Sequence, residues 1–343
     1  MPGRGSRCRL PLDARQRFVP QCSSPGGSHA HHRNRPRPHR RSQSRRHSQP
    51  RTCPRRHGRR HRPLPLALRH GGDPSPIDQG ALRSEGRGID SLIDLTTPDL
   101  GRDVEFIRDV SAASGVNVIV ATGIWRDVPR SFWMRDIDEI ADIFVREIEV
   151  GIGETTIKAG CIKVASDMGG VTPEAERILR GAARACRRTG CPISTHQWAP
   201  EEVGRRQVEV FLEEGAPMDR IAIGHSADST DADYLEELLR TGVYLSMDRY
   251  PGAPGRPNWE QRNTTLKVLI DRGWAHKLML GHDYAPAPVV RGAERPSASG
   301  PTRYLFCTTV AAPALVAQGV PQETIDLMFR DVPRHFLTGA TGA

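Results

Sequence analysis

From about residue 88 onward the chain repeats one pattern, a short apolar run followed by a longer amphipathic stretch. "IDSLIDL" precedes "GRDVEFIRDVSAAS", "VNVIVATG" precedes "DIDEIADIFVREIEV", and "AGCIKVA" precedes "TPEAERILRGAARACRRTG". "CPISTH", "RIAIGHS", "VYLSMDR" and "KLMLGHD" continue the series, and the chain closes on the helical "ALVAQG" and "ETIDLMFRDV". Apolar strands that alternate with amphipathic helices form parallel βαβ units, with helices burying both faces of the sheet. Seven such units predict an α/β fold of the TIM (β/α)8 barrel type whose first strand is not recognisable, in preference to an open doubly wound sheet. No phosphate-cradling glycine motif follows any strand, which argues against nucleotide binding.

The text before this pattern is a different kind of polymer. Residues 1–75 hold 19 Arg, no Lys, no Glu and two Asp, a balance of +17 that leaves −8 of the net +9 for the remainder. Eight of the 13 His lie there too, among many Pro and Ser. Such a composition buries too little apolar surface to offset its ordering entropy. We therefore expect residues 1–80 to be a disordered or out-of-frame Arg/Pro/His-rich segment, and residues 81–343 to be the barrel. Aromatic interleaving is missing from the arginine run, so a solvated tail or frame artefact is preferred to a nucleic-acid arm. No apolar run approaches the ~20 residues of a membrane span. The seven Cys lack CxxC spacing and read as reduced, intracellular thiols, which implies a cytoplasmic location.

Strand parity singles out Lys163. In "AGCIKVASD" Ile162 and Val164 point to one face, while Cys161, Lys163 and Ala165 point to the other. A bare ammonium beside Cys161 and Ala165 is costly, so Lys163 is expected to be paired, neutralised or chemically altered. His196, His225 and Asp283 each end a different strand, and in a barrel those tips converge at the catalytic mouth. Singly, such residues are more often a core histidine or a helix cap. Together, two imidazoles, a carboxylate and a buried lysine make a candidate site for a divalent ion such as zinc, cobalt or manganese. His282 has the opposite parity to Asp283 and is expected on the outer, helix-packing side.

"AGCIKVASD", "PISTHQ", "IAIGHSADSTDADYLEELLRTGVYLSMDRY" and "KLMLGHD" resemble the phosphotriesterase family of the amidohydrolase superfamily, which includes the phosphotriesterase-like lactonases. "IDLTTPDLGRDVEFIRDVS" and "GVPQETIDLMFRDVPRHFL" fit as well, and the resemblance spans about residues 80–340. It implies that Lys163 carries a CO2-derived carbamate bridging two divalent metal ions, zinc foremost. His196 and His225 would hold the more exposed ion and Asp283 the other. Asp283 would also take a proton from a metal-bridging hydroxide that attacks a lactone carbonyl or a phosphotriester phosphorus. Arg249, which ends the seventh strand of a complete barrel and the sixth visible here, would line the substrate pocket or form a rim salt bridge. Trp125 in "ATGIW" stands where family members often carry tyrosine, and would narrow the pocket or pack its loop. The family also suggests a homodimer acting on a small-molecule ester or lactone.

Two departures follow. The family's first strand ends in a His-x-His pair, and the one literal match, His29 and His31 in "GGSHAHHRN", has no apolar strand before it. Val332 in "DVPRHF" stands where the family usually has Asn, a change expected to touch only a local turn. The reading is a metal-dependent hydrolase for lactones, phosphotriesters or carboxyl esters, lactones being favoured. The alternative is an inactive barrel remnant that acts at most as a binding protein.

Overall fold

The structure, a computed structural model, describes residues 89–284 and 304–339. The expected disordered segment 1–80, its boundary with the barrel, the His29/His31 pair and most of the loop after Asp283 lie outside the described residues. Among those described, seven strands form one sheet in chain order. They are β1 (Ser91–Asp94), β2 (Asn117–Gly123), β3 (Cys161–Ala165), β4 (Ile193–His196), β5 (Ile221–Ile223), β6 (Tyr244–Met247) and β7 (Leu278–Leu280). Every neighbouring pair is parallel, with Gly123 opposite Lys163 and Ala165 opposite His196. This curled sheet with helices between its strands is the wall of a TIM-type barrel, as the strand–helix alternation predicts.

The crossovers carry α1 (Val104–Ser114), α2 (Ile137–Glu149), α3 (Pro173–Thr189), α4 (Gly204–Glu213), α5 (Ala232–Arg240) and α6 (Trp259–Asp271). Sequence-local caps set their starts. Asp136 with Glu139 and Asn258 with Gln261 form capping boxes, and Thr172 precedes Pro173 at the first turn of α3. α3 ends at Gly190 in the left-handed conformation.

Alternation sorts the core into two layers. Ile162, Val164, Ile193, Ile221, Ile223 and Leu245 pack outward against helix residues such as Phe144, Leu179, Phe211, Leu238 and Leu266. Ala121, Cys161, Ala222, Tyr244 and Met279 form a separate inner cluster. Cys161 thus lies on the opposite face from Ile162 and Val164, the arrangement that strand parity predicts.

The chain ends in α7 (Ala312–Ala317), α8 (Gln322–Asp326), a π-helical turn (Leu327–Asp331) and α9 (Val332–Thr338). Val332 corrects the sequence expectation: it opens α9, is fully buried, and joins Phe336 in the inner cluster. An apolar side chain there fills core and does not shape a turn. Phe336 meets Tyr244 edge to face at 5.7 Å between ring centroids, and its burial contributes on the order of 2–3 kcal/mol. The four described cysteines, Cys161, Cys186, Cys191 and Cys307, are free and buried.

Candidate active site

Close packing of neighbouring strands places Lys163. Gly123, with φ +109°, lies so near β3 that an added Cβ would stand 2.0 Å from the Lys163 carbonyl oxygen. Gly224 makes the same approach to the Thr195 carbonyl oxygen one step before His225. Lys163 itself is 5% exposed, and its Nζ donates to the Thr195 carbonyl oxygen at 2.8 Å. Burial pushes its pKa below the ordinary lysine value, against the pull of Asp283 and Asp248. A deprotonated amine is the form that can add to CO2.

His196 and His225 lie at the tips of β4 and β5, ring centroids 4.5 Å apart and nearly perpendicular. Both ring nitrogens of His196 are buried and lack a hydrogen-bond partner. Desolvation, aided by His225, Lys163 and Arg249, holds its pKa at about 3, so the imidazole is neutral with a free lone pair. Buried polar atoms are rarely left unsatisfied, and such orphans mark a ligand position. His225 differs: its Nδ1 donates to Asp248 Oδ1 at 2.8 Å and its backbone N–H to Asp248 Oδ2 at 3.1 Å. An acceptor carboxylate at Nδ1 fixes the tautomer and presents Nε2 as the donor atom, the usual support of a metal-ligating histidine. Ser246 Oγ donates to Asp248 at 2.8 Å and completes this support.

Asp283 lies beyond β7, with its Oδ2 3.8 Å from His225 Nδ1 and 2.9 Å from Arg249 Nε. Burial pushes its carboxyl pKa up, but His225 and Arg249 outweigh that, so the carboxyl stays below the usual range. Arg249 also donates to Asp228 Oδ2 at 2.7 Å, and Asp228 in turn binds Arg256 and the fully buried Arg262. Trp125 lies edge-on to His196 at 5.5 Å, and its backbone N–H reaches Asp99 Oδ1 at 3.2 Å. Among the described residues four non-glycine residues have left-handed φ, and three of them are His225, Arg249 and Asp283. Strained backbone concentrated at strand tips is typical of functional sites.

Lys163, His196, His225, Asp283, Arg249 and Trp125 are therefore gathered at one end of the sheet. His282 lies apart, its ring edge-on to Tyr304 at 5.0 Å and to Tyr284 at 6.5 Å. Sequence reasoning missed Asp248, Asp228 and Asp167. Asp167 accepts from Arg126 at 2.8 Å and lies 3.5 Å from His196 Nε2. For Asp248 and Asp167 a carboxylate one or two residues beyond a strand that neighbours a strand-tip histidine was the available signal; Asp228, five residues beyond β5, carries none.

The donors fit a divalent ion in part. Two imidazoles, the lysine and one carboxylate have the right chemistry, but among the described residues no three His, Cys, Asp or Glu side chains close on one point by themselves.

Residues 77–337 match the model of the phosphotriesterase family. The chain belongs to the phosphotriesterase family. Within that family, a phosphotriesterase homology protein of Mycobacterium tuberculosis (strain ATCC 25618 / H37Rv) is 40% identical over 283 residues, 77% of this chain and 85% of that protein. The aryldialkylphosphatase of Saccharolobus solfataricus is 34% identical, covering 73% of this chain and 81% of its own length. N-acetyltaurine hydrolase of Bos taurus is 25% identical over 76% of this chain and 77% of its own. Membership makes this phosphotriesterase-type chain a hydrolase acting on small molecules. Among its described residues no helix is long and apolar enough to cross a membrane.

Proposed function

We propose that the chain is a metal-dependent hydrolase of uncharged ester electrophiles, lactones foremost and phosphotriesters second. The observation that carries this reading is the buried His196, whose Nδ1 has no hydrogen-bond partner and whose Nε2 meets only Asp167 at 3.5 Å, 4.5 Å from His225 and beside a lysine whose pKa burial lowers. His196 and His225 would hold one divalent ion together with a carbamate on Lys163, and Asp283 would contribute to a second. Such ions polarise the acceptor oxygen and make water acidic enough to attack at neutral pH.

The chain's own groups do the remainder. Asp283, held ionised, accepts the proton at Oδ1 while Arg249 occupies Oδ2. Arg249 is fixed by Asp228, so its guanidinium stays at the mouth. Trp125 walls the pocket above His196 and limits water access. The free, buried cysteines suit a reducing cytoplasm.

The relatives' names support hydrolysis but differ in substrate, an aryl dialkyl phosphate in one and N-acetyltaurine in another. The test is a kinetic panel of the zinc-loaded full chain on a δ-lactone, an aryl dialkyl phosphate and an N-acyl amide. The reading expects the lactone to give the highest kcat/KM; turnover of the amide alone would replace it. The second reading, an inactive remnant, is favoured by the two imidazoles that the described residues supply, and absence of all turnover would select it.

A further inference from the structure

Three guanidiniums meet one carboxylate at the mouth. Asp228, in the short turn after β5, accepts from Arg262 at Oδ1 and from both Arg249 and Arg256 at Oδ2. Arg262 is fully buried and by itself balances the charge of Asp228. Arg249 is balanced by Asp283 at 2.9 Å. Arg256 is the charge left over. Among the described residues its side chain spends one N–H on Asp228 and finds no other acceptor, and 27% of it is exposed.

The surplus cation is held in one orientation. Its guanidinium carbon lies 4.7 Å from the centroid of the Trp198 ring, and Trp198 follows the strand-tip His196 by two residues. Asp228 fixes one edge of the guanidinium and Trp198 one face, so the other edge is free to meet a ligand. The loops after β4, β5 and β6 each supply one member of this group, the same loops that surround the hydrolytic residues.

We propose, on the basis of the hydrolase reading above, that Arg256 determines specificity by receiving a carboxylate that the substrate carries away from its scissile bond. The electrophile stays uncharged and the anion sits on a side arm. A guanidinium with two adjacent N–H groups matches the two oxygens of a carboxylate. One surplus positive charge suits a monoanion in preference to a dianionic phosphate. The wider field agrees: residues 76–343 carry a net −8, yet the mouth presents Arg249, Arg256 and the half-exposed Arg126, whose guanidinium lies over Trp125 at 4.8 Å. A basic mouth in an acidic body draws anionic small molecules to that one place.

The experiment compares two substrates of the zinc-loaded full chain, a γ-lactone bearing a ring carboxylate and the same lactone with a neutral carboxamide in its place. Wild type is expected to favour the acid about tenfold in kcat/KM, chiefly through KM, the size of a charge-assisted hydrogen bond. Arg256→Gln should bring that preference to near one, and Arg256→Lys, which keeps the charge without the fork, should retain part of it. An arginine that serves packing alone would lower both substrates together and leave their ratio unchanged. A ratio retained by Arg256→Gln therefore overturns the proposal, as does a wild type that does not favour the acid. The second readout needs no turnover: ligand-observed NMR titration with cyclopentanecarboxylate should show saturable binding that Arg256→Gln loses. Such binding without turnover of either lactone would retire the hydrolase reading and keep the carboxylate site. Turnover of both lactones at equal rates, with no such binding, would do the reverse.

Discussion

Arg249 Nε and Asp283 Oδ2 lie 2.9 Å apart, and both residues adopt left-handed backbone at the ends of adjacent strands. The guanidinium holds Oδ2, the same oxygen that lies 3.8 Å from His225 Nδ1. Replacing Arg249 by Met keeps the bulk and removes the charge that stabilises ionised Asp283. Steady-state kinetics should show kcat/KM falling roughly 10- to 100-fold for lactone and phosphotriester alike. An unchanged value would reduce Arg249 to a rim salt bridge.

Asp228 anchors that arginine from below. Its side chain is 1% exposed and shared among Arg249, Arg256 and Arg262. Asp228→Ala leaves the fully buried Arg262 without its counter-charge, which should cost about 3–5 kcal/mol in denaturant unfolding. Asp228→Asn, which keeps the acceptor, should cost less.

Gly123 is a test of how Lys163 is positioned. At φ +109° with the Lys163 carbonyl oxygen 2.0 Å from any Cβ, Gly123→Ala must separate β2 from β3. Urea unfolding should report a loss of about 3 kcal/mol or more.

Much of this architecture was legible in the sequence. The seven apolar runs became seven strands because their length and their following helices fix parallel pairing. Parity separated Cys161 from Ile162 because side-chain alternation is local. His225–Asp248 was not legible, since it depends on the register between β5 and β6. Val332 was misread for a related reason: its burial is set by Tyr244 and Met279, distant in sequence, and not by the turn-like "DVPRH" around it.

The outer surface carries the clearest pH signature. Glu214 links α3 to the residue after α4, accepting from Arg184 and Arg180. Burial pushes its pKa up, but the two arginines outweigh this and hold it below the ordinary 4.5. The unfolded state then binds more protons just below pH 4.5, so this stability is present above that pH and is lost as pH falls through the folded pKa. Glu214→Gln should lower stability at pH 7 by about 1 kcal/mol and flatten the acid limb of a melting-temperature profile below about pH 4.5. An acid limb as steep as that of wild type would contradict the assignment.

Metal content per chain tests the central claim most directly. Full chain loaded with zinc in the presence of bicarbonate, then dialysed, is expected to retain about one divalent ion or more by elemental analysis. Lys163→Ala and His196→Ala, folded by circular dichroism, should fall to background and lose hydrolysis with it. Wild-type protein that retains no metal, or Lys163→Ala that keeps both metal and turnover, would contradict the account.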